Sequence, residues 1–433
     1  GFFGGGGVCD FWGWGGACVL GGGRPRPDSF SPPRAEISSG SGGKWARVRK
    51  VPYLCLLMTK ICCIFNIAPL YRAGIYRKMD EDPDLEFDFL AGEESVGGIA
   101  LMDIRSLGGF RGYLHNIYRK GGKLVWQKGA IRRAFSKRYD AYILTGNPGI
   151  RSNWIIALVA RLLGRPVYLW SHGLHGDERG LKLRKNMAWF RLAGHLLLYG
   201  ERPRRLLLEQ GYRDDRMAVI YNSLDYDKQA AIRERIGDRG FIRNYFGDDL
   251  PLLVFVGRLT GSKKLDMLLT AMAQLDREGC ACNLVLIGDG PAREQLEAEA
   301  ERLGLIDRVW FYGETYDDHI IGTFLYHSAV CVSPGNVGLT AIHSLMFGTP
   351  VVTHDNGNKQ GPEYEAIEPG VSGTLFAEGD TGALADAIRP WLALTPEQRD
   401  AVRRACHGVI DRDFNPDRQM QVLRSVFLSG TKH

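Results

Sequence analysis

Two cations follow a predicted strand in the second half of the chain. The apolar run 252–256 predicts a strand, and Gly257, Arg258 and Lys263 lie between it and a helix predicted over 265–275. A guanidinium can hold two phosphate oxygens at once, an ammonium adds a point charge, and a helix N-terminus adds partial positive charge. This spacing is typical of a diphosphate site, and a solvated basic turn is the alternative interpretation.

Two further strand-to-helix turns in the same half carry little side-chain bulk. The strand predicted over 283–287 ends in a glycine-rich turn, 288–291, and the loop 335–338 opens directly into a helix predicted over 339–347. Glycine lets the backbone approach a ligand closely, and the amides at a helix start favour an anion. We therefore predict that three residues at this helix start join the same site: Gly338, Leu339 and Thr340.

The first half offers one histidine and one arginine after predicted strands. His172 follows the strand predicted over 166–170 and precedes a glycine-containing loop, so it can reach a ligand; a structural loop histidine is the alternative. We expect the neighbouring His175 to be exposed to solvent. Arg72 follows the first strand, 61–66, and either faces an anionic substrate or is a plain surface arginine; we favour the surface arginine.

Short apolar runs alternate with longer amphipathic segments from Met58 onward, which predicts an α/β fold of parallel βαβ units. The alternating strand–helix pattern is interrupted in the polar stretch 225–249, which we interpret as a linker, and it resumes after this stretch. The domains predicted are a disordered Gly-rich extension over 1–57, a Rossmann-like domain over 58–235, a second over 250–405, and a helical segment over 406–433 that packs back on the first domain. We interpret Met58 as the natural start.

The order of motifs resembles that of the GT-B glycosyltransferases of family 4. The motifs are Gly-Arg-Leu-x3-Lys from Gly257, Gly-Asp-Gly-Pro from Gly288, Val-x-Phe-x-Gly from Val309, Ser333-Pro334, and Gly-x-Pro-Val-Val from Gly348. The resemblance runs from about Met58 to the C-terminus and is strongest over 251–376. It implies two facing Rossmann-like domains with parallel sheets.

The resemblance also implies roles for the residues. Arg258 and Lys263 would bind the diphosphate of a nucleotide-sugar donor, and His172 would lie near the transferred sugar. The retaining chemistry of the family is thought to need no protein nucleophile, and no metal ion or cofactor is implied. The donor is expected to be a UDP- or GDP-sugar, and the sugar acceptor a saccharide or a lipid-linked molecule.

The sequence departs from the family at two positions. Glutamates eight positions apart usually contact the sugar and the ribose, but this chain has Gly335 and His343 there. His343 either binds the donor or faces the core, and Glu363 in a nearby turn is a candidate substitute. We therefore predict a metal-independent glycosyltransferase of surface polysaccharide or glycoconjugate synthesis. The alternatives are a sugar-nucleotide epimerase or hydrolase of the same fold, and an inactive binding protein.

Composition limits the remaining options. The formal net charge is +6 and the nine cysteines form no CxxC pair, so reduced thiols are expected and a zinc site is not. The apolar stretch 51–70 suits a buried strand, and a membrane anchor is the alternative. No nucleic-acid motif accompanies the charge.

Basic segments with aromatic residues suggest a cytoplasmic protein that binds the inner face of the cell membrane, or else solvated helix faces. The residues concerned are Arg132, Arg133, Lys137, Arg138, Lys182, Arg184, Lys185, Arg202, Arg204 and Arg205, with Trp126, Trp189 and Phe190.

Overall fold

The computed structural model describes residues 58–94, 99–119 and 122–428. The extension predicted to be disordered, 1–57, lies outside the described residues. Residues 58–428 belong to one compact unit that contains two α/β lobes, each built on its own sheet. Two parallel-sheet domains confirm the predicted fold class.

The first lobe contains an eight-stranded sheet within the described residues, in the order β4-β3-β2-β1-β5-β6-β7-β8. Its pairs are parallel except for β3 with β4, which is antiparallel. Helices cover both faces, so the central strands are near-continuous apolar runs. The strands are β1 (Thr59–Ile67), β2 (Leu85–Gly92), β3 (Phe110–Arg119), β4 (Lys123–Lys128), β5 (Ala141–Thr145), β6 (Val167–Ser171), β7 (Gly194–Leu198) and β8 (Met217–Val219).

The second lobe contains a six-stranded parallel sheet in the described part of the chain, in the order β11-β10-β9-β12-β13-β14. The strands predicted over 252–256 and 283–287 are β9 and β10, with the predicted bounds, and β14 was not predicted. The strands are β9 (Leu252–Val256), β10 (Asn283–Ile287), β11 (Val309–Gly313), β12 (Val330–Ser333), β13 (Val351–His354) and β14 (Gly373–Phe376).

The helices connect the strands and bury one face each against a sheet or a neighbouring helix. They are α1 (Ala73–Asp80), α2 (Arg151–Leu162), α3 (Gly180–Ala193), α4 (Glu201–Glu209), α5 (Tyr226–Arg233), α6 (Gly240–Phe246), α7 (Leu265–Arg277), α8 (Arg293–Arg302), α9 (Asp318–His327), α10 (Thr340–Met346), α11 (Thr381–Leu392), α12 (Pro396–Asp413) and α13 (Pro416–Leu428).

Three features differ from the sequence interpretation or add to it. The predicted linker 225–249 contains α5 and α6, and α5 packs against α9 of the second lobe. Helix α13 crosses to the first lobe, where the ring of Phe427 lies 4.7 Å from that of Tyr168. Residues 59–67 lie in the apolar stretch for which a membrane anchor was the alternative. They form the buried strand β1 in the middle of a sheet, so the anchor interpretation is wrong for them.

Both strand orders contain a topological switch point, where the chain stops extending the sheet on one side and starts on the other. It lies between β1 and β5 in the first sheet and between β9 and β12 in the second. Loops diverge there at the carboxyl ends of the strands, and open α/β sheets bind ligands in the crevice that results. The two switch points therefore mark where a ligand site is expected.

Candidate functional site

The crevice of the second lobe opens beside the end of β9. Gly257 has φ +145°, and a Cβ on Gly288 would lie 2.0 Å from the carbonyl oxygen of Gly257, so the two turns touch through backbone alone. A cavity of about 770 Å³ adjoins them. Its lining includes Gly257, Arg258 and Gly288 on one side and Glu314 and Tyr316 on the other. A nucleotide fits a cavity of this size.

Arg258 lies in this cavity with an exposed side chain. No carboxylate lies within 4 Å of its guanidinium in the part of the chain that the structure describes. The neighbouring cations differ, because Lys264 pairs with Glu378 at 3.2 Å and Arg293 pairs with Glu297 at 2.8 Å. Arg258 is therefore free to bind an anionic ligand.

Lys263 is partly buried and turns toward the loop after β12. Its Nζ donates a hydrogen bond to the carbonyl oxygen of Asn336, and burial lowers its pKa. No carboxylate lies within ion-pair distance of it among the described residues. The ammonium is thus held beside the helix start that follows Asn336.

Gly335, one of the two departures from the family motif, packs against the same turn. Its amide donates to the carbonyl oxygen of Lys263 at 3.1 Å. A Cβ at position 335 would lie 2.2 Å from the carbonyl oxygen of Ser262 and 2.8 Å from Cα of Lys263. The space in which a glutamate side chain would begin is occupied by backbone, so this position needs glycine here.

The start of α10 supplies backbone donors beside Lys263. Thr340 Oγ1 donates to the carbonyl oxygen of Val256 at 3.0 Å, which fixes the helix start against the end of β9. No acceptor in the described ranges lies within hydrogen-bond distance of the amides of Gly338, Leu339 and Thr340. Lys263 and these amides therefore lie at the loop after β12, and Arg258 lines the cavity at the end of β9, the strand against which Thr340 fixes this helix start.

Two residues that sequence reasoning missed hold this loop in place. Gln360 Oε1 accepts from the amide of Val337 at 3.0 Å, and Gln360 Nε2 donates to Thr353 Oγ1 at 2.8 Å. Thr353 Oγ1 donates to the carbonyl oxygens of Ser333 and Gly335 at 2.8 and 3.1 Å. The only sequence signal for this role is a threonine at the end of β13, next to the switch point.

His343 lies on α10 but is enclosed. Its ring packs against Phe347, with centroids 5.5 Å apart, and Nε2 lies 3.7 Å from Asp318 Oδ1 without a hydrogen bond. Burial lowers the pKa of His343 to about 4, against the opposing charge of Asp318. The histidine is therefore neutral at neutral pH and faces α9.

Glu363 lies at the seam between the lobes and is buried. Its Oε1 accepts from Asn222 Nδ2 at 3.0 Å, and burial raises its pKa. A second seam contact is formed by Glu365, whose carboxylate accepts from the amides of Glu201 and Arg202 at 2.7 and 2.9 Å. A carboxylate of the second lobe thus caps helix α4 of the first lobe.

His172 lies on the first-lobe side of the same seam. It lines both a cavity of about 590 Å³ at the first switch point and a small inter-lobe cavity that also contacts Gly361 and Glu365. The His172 side chain is exposed to the seam, and the loss of hydration beside the two lobes, with the charges of Arg72 and His175, lowers its pKa to about 4. Its neutral ring can accept or donate one hydrogen bond at neutral pH. His175 is exposed.

Two interpretations of the first lobe are wrong. Arg72 is no plain surface arginine, because its guanidinium is enclosed by aromatic rings. Trp189 and Phe190, suggested as membrane-facing aromatics, are 0% and 1% exposed in the core under α3. Helical periodicity places such rings on one face but does not say whether that face is covered.

Several of the basic side chains grouped with these aromatics are neutralised. Arg138 pairs with Asp88 at 2.8 Å, and Arg204 pairs with Asp214 at 2.7 Å. No helix among residues 58–94, 99–119 and 122–428 is both long and apolar enough to cross a bilayer. In the same ranges, no three His, Cys, Asp or Glu side chains are grouped so as to hold a metal ion.

Comparison with known proteins relates this part of the chain to a family. Residues 241–407 match the family model described as glycosyl transferases group 1. The chain is 28% identical over 308 residues to the alpha-D-kanosaminyltransferase of Streptomyces kanamyceticus, which aligns 65% of this chain with 72% of that one. It is 30% identical over 216 residues to the D-inositol 3-phosphate glycosyltransferase of Nocardia farcinica, covering 47% of this chain and 45% of that one.

Solved structures agree in fold over a larger part of the chain. The crystal structure of Anabaena HepE in complex with UDP superimposes with a TM-score of 0.61 and 19% identity. That match covers 86% of this chain and 100% of HepE. The match to the group 1 glycosyltransferase model thus covers the second lobe, and the fold shared with the solved structure over both lobes is the GT-B fold.

Proposed function

We propose that the protein transfers a sugar from a UDP- or GDP-sugar to a saccharide or lipid-linked acceptor, with retention, in the synthesis of a surface polysaccharide or another glycoconjugate. The observation that carries this proposal is the unpaired cation Arg258 in the cavity at the end of β9, together with Lys263 and the free amides at the start of α10, which is fixed against the end of the same strand. HepE, which has the same fold, was crystallised with UDP, and this supports a nucleoside diphosphate as the ligand.

The proposed chemistry is stabilisation of a leaving group. The bond between the anomeric carbon and the diphosphate oxygen breaks, and a hydroxyl oxygen of the sugar acceptor forms the new bond on the same face. Negative charge builds up on the diphosphate, where Arg258, Lys263 and the amides of Gly338, Leu339 and Thr340 stabilise it. These groups are already in place before the reaction, so little reorganisation is needed. In this proposal the negative charge of the departing diphosphate is stabilised without a metal ion or a cofactor.

The sugar is proposed to lie between the lobes. His172 is neutral there and can hydrogen-bond a sugar hydroxyl. Glu363 is proposed in place of the glutamate that Gly335 cannot supply, because it lies at the seam between the lobes, where its Oε1 accepts from Asn222. We propose no contact of His343 with the donor.

A donor screen tests the proposal. Thermal shift with UDP and GDP should show stabilisation by one of them, because a ligand that binds only the native state raises the midpoint. Incubation with labelled UDP- and GDP-sugars and a lipid extract should then yield product whose anomeric configuration, measured by NMR, matches the donor, with or without EDTA. Epimerised free sugar formed without a sugar acceptor would indicate the epimerase alternative, and no stabilisation by either nucleotide would indicate an inactive binding protein.

We also propose that the protein works in the cytoplasm, at the inner face of the membrane when its sugar acceptor is lipid-linked. Support comes from exposed, unpaired cations on the described first lobe, such as Lys137, Arg184 and Lys185. Co-sedimentation with anionic but not neutral vesicles, lost at high salt, would agree with this location.

A further inference from the structure

Arg72 is an enclosed cation in the first lobe. It ends the short turn between β1 and α1, and its side chain points inward to the switch point. The guanidinium carbon lies 5.0 Å from the ring centre of Trp170, 5.3 Å from that of Tyr199 and 5.8 Å from that of Tyr71. Cation–π contacts of this kind hold a guanidinium in place without neutralising its charge.

The hydrogen-bonding capacity of Arg72 is largely unused. A guanidinium has five N–H donors, but Arg72 interacts only with tyrosine hydroxyls among the described residues: Nη1 donates to Tyr76 Oη over a long 3.5 Å, Tyr71 is the second such neighbour, and the buried Nε has no partner. No carboxylate of the described chain forms an ion pair with it. The electrostatically coupled carboxylate is that of Glu363, which lies beyond ion-pair distance and is held by Asn222.

Arg72 is partly buried, and its Nε is fully so. Burying part of an unpaired cation costs free energy, so its retention points to an anion supplied from outside the chain. The nearby cavity of about 590 Å³ has room for a sugar-sized molecule. Its wall carries the ends of β1, β5 and β6, among them Asn66, Thr145 and Ser171, and the exposed Lys182 of α3 lies at its margin. The one carboxylate in the lining, Glu178, already accepts from the amides of His175 and Gly176.

We propose that this cavity binds the sugar acceptor, and that Arg72 recognises a phosphate or carboxylate group on it. The inference rests on the proposed function, since it names the class of molecule that receives the sugar. His172 lines the same cavity, so an acceptor anchored at Arg72 lies next to the place proposed for the transferred sugar. In the proposed function, the donor diphosphate binds elsewhere, at Arg258 and Lys263 of the second lobe.

The test uses the full chain with its donor site filled by UDP or GDP, whichever stabilises it. Isothermal titration with glucose 6-phosphate and with glucuronate should show binding that glucose lacks. A second arm uses phosphatidylcholine vesicles with and without a polyprenyl phosphate. Binding of the soluble anions assigns a soluble acceptor, and binding of the polyprenyl phosphate alone assigns a lipid-linked one; either result supports the inference if it depends on Arg72.

Three variants give that dependence. Arg72→Gln should weaken anion binding by about 10- to 100-fold, the usual effect of losing a charge-assisted contact. Arg72→Lys keeps the positive charge and serves as the second variant if Arg72→Gln does not fold. It should bind the anion with intermediate affinity, because lysine lacks the planar guanidinium that can hold two oxygens. The matched control is Arg404→Gln, an exposed arginine of α12 without an ion pair in the described chain, which should bind as wild type does.

The outcomes separate this inference from the proposed function. If the wild type binds neither UDP nor GDP, the proposed function fails regardless of Arg72. If nucleotide binding is intact but no anion binds, or if anion binding survives in both Arg72 variants, the inference is overturned. If Arg72→Gln weakens nucleotide binding instead, Arg72 belongs to the donor site and the inference is also overturned.

Discussion

Replacement of Arg258 by glutamine tests the site most directly. The side chain is exposed and has no ion pair within the described chain, so its loss leaves no buried group without a partner. We therefore expect stability to change by less than about 0.5 kcal/mol. This separates loss of activity from loss of fold.

The expected loss of activity follows from the hydrogen bonds that the guanidinium can make. Two charge-assisted bonds to the diphosphate at about 1.5–3 kcal/mol each give about 3–6 kcal/mol, which is about 10²- to 10⁴-fold in kcat/KM. The diphosphate gains charge as it leaves, so most of the loss should appear in kcat rather than KM. Lys263→Ala should lose at least about 10²-fold, since its ammonium also holds the loop at Asn336.

The assay is release of nucleoside diphosphate from the donor identified in the screen, measured under initial-rate conditions beside a thermal melt. The control is Arg277→Gln, an exposed arginine at the far end of α7 with no side-chain partner in the described chain, which should retain full activity. An Arg258→Gln enzyme with kcat/KM within about threefold of wild type and an unchanged melt would refute the assignment of the diphosphate site.

Three further predictions concern packing and pH. Gly335→Ala should destabilise the protein by about 1–3 kcal/mol, because its Cβ would lie 2.2 Å from the Ser262 carbonyl oxygen. Gly408→Ala, with open space around it in α12, should not lower the melting temperature and serves as the control. The pKa of His343 falls from 6.5 to about 4 on folding, so the stability that it contributes is present above pH 6.5 and is lost as the pH falls toward 4. His343→Asn should therefore reduce the dependence of the free energy of unfolding on pH in this range, by up to about 1.4 kcal/mol per pH unit, as measured in denaturant titrations at several pH values. Glu365→Ala uncaps α4 and should cost about 1 kcal/mol in chemical denaturation; an unchanged midpoint would contradict the seam contact.

Local pattern was enough to predict much of the second lobe. Arg258 and Lys263 follow a strand within a few residues, and the start of a helix lies just beyond, so the sequence itself puts them at the carboxyl edge of a sheet. The first lobe was harder. Strands β2, β3 and β4 were not predicted, and the helices α5 and α6 were interpreted as a linker, because polar helices on a surface carry a weak apolar period.

What the sequence by itself determined is therefore the fold class and the order of cations and glycines that a diphosphate site needs, since both depend on residues close together in the chain. The tertiary structure alone decided that backbone from Ser262 fills the space beside Gly335, that rings at the end of β6 and just after β7 contact Arg72, and that Glu365 caps a helix of the other lobe. Those contacts join residues many tens of positions apart. Strand order and helix crossovers set which distant residues meet, and no local period encodes them.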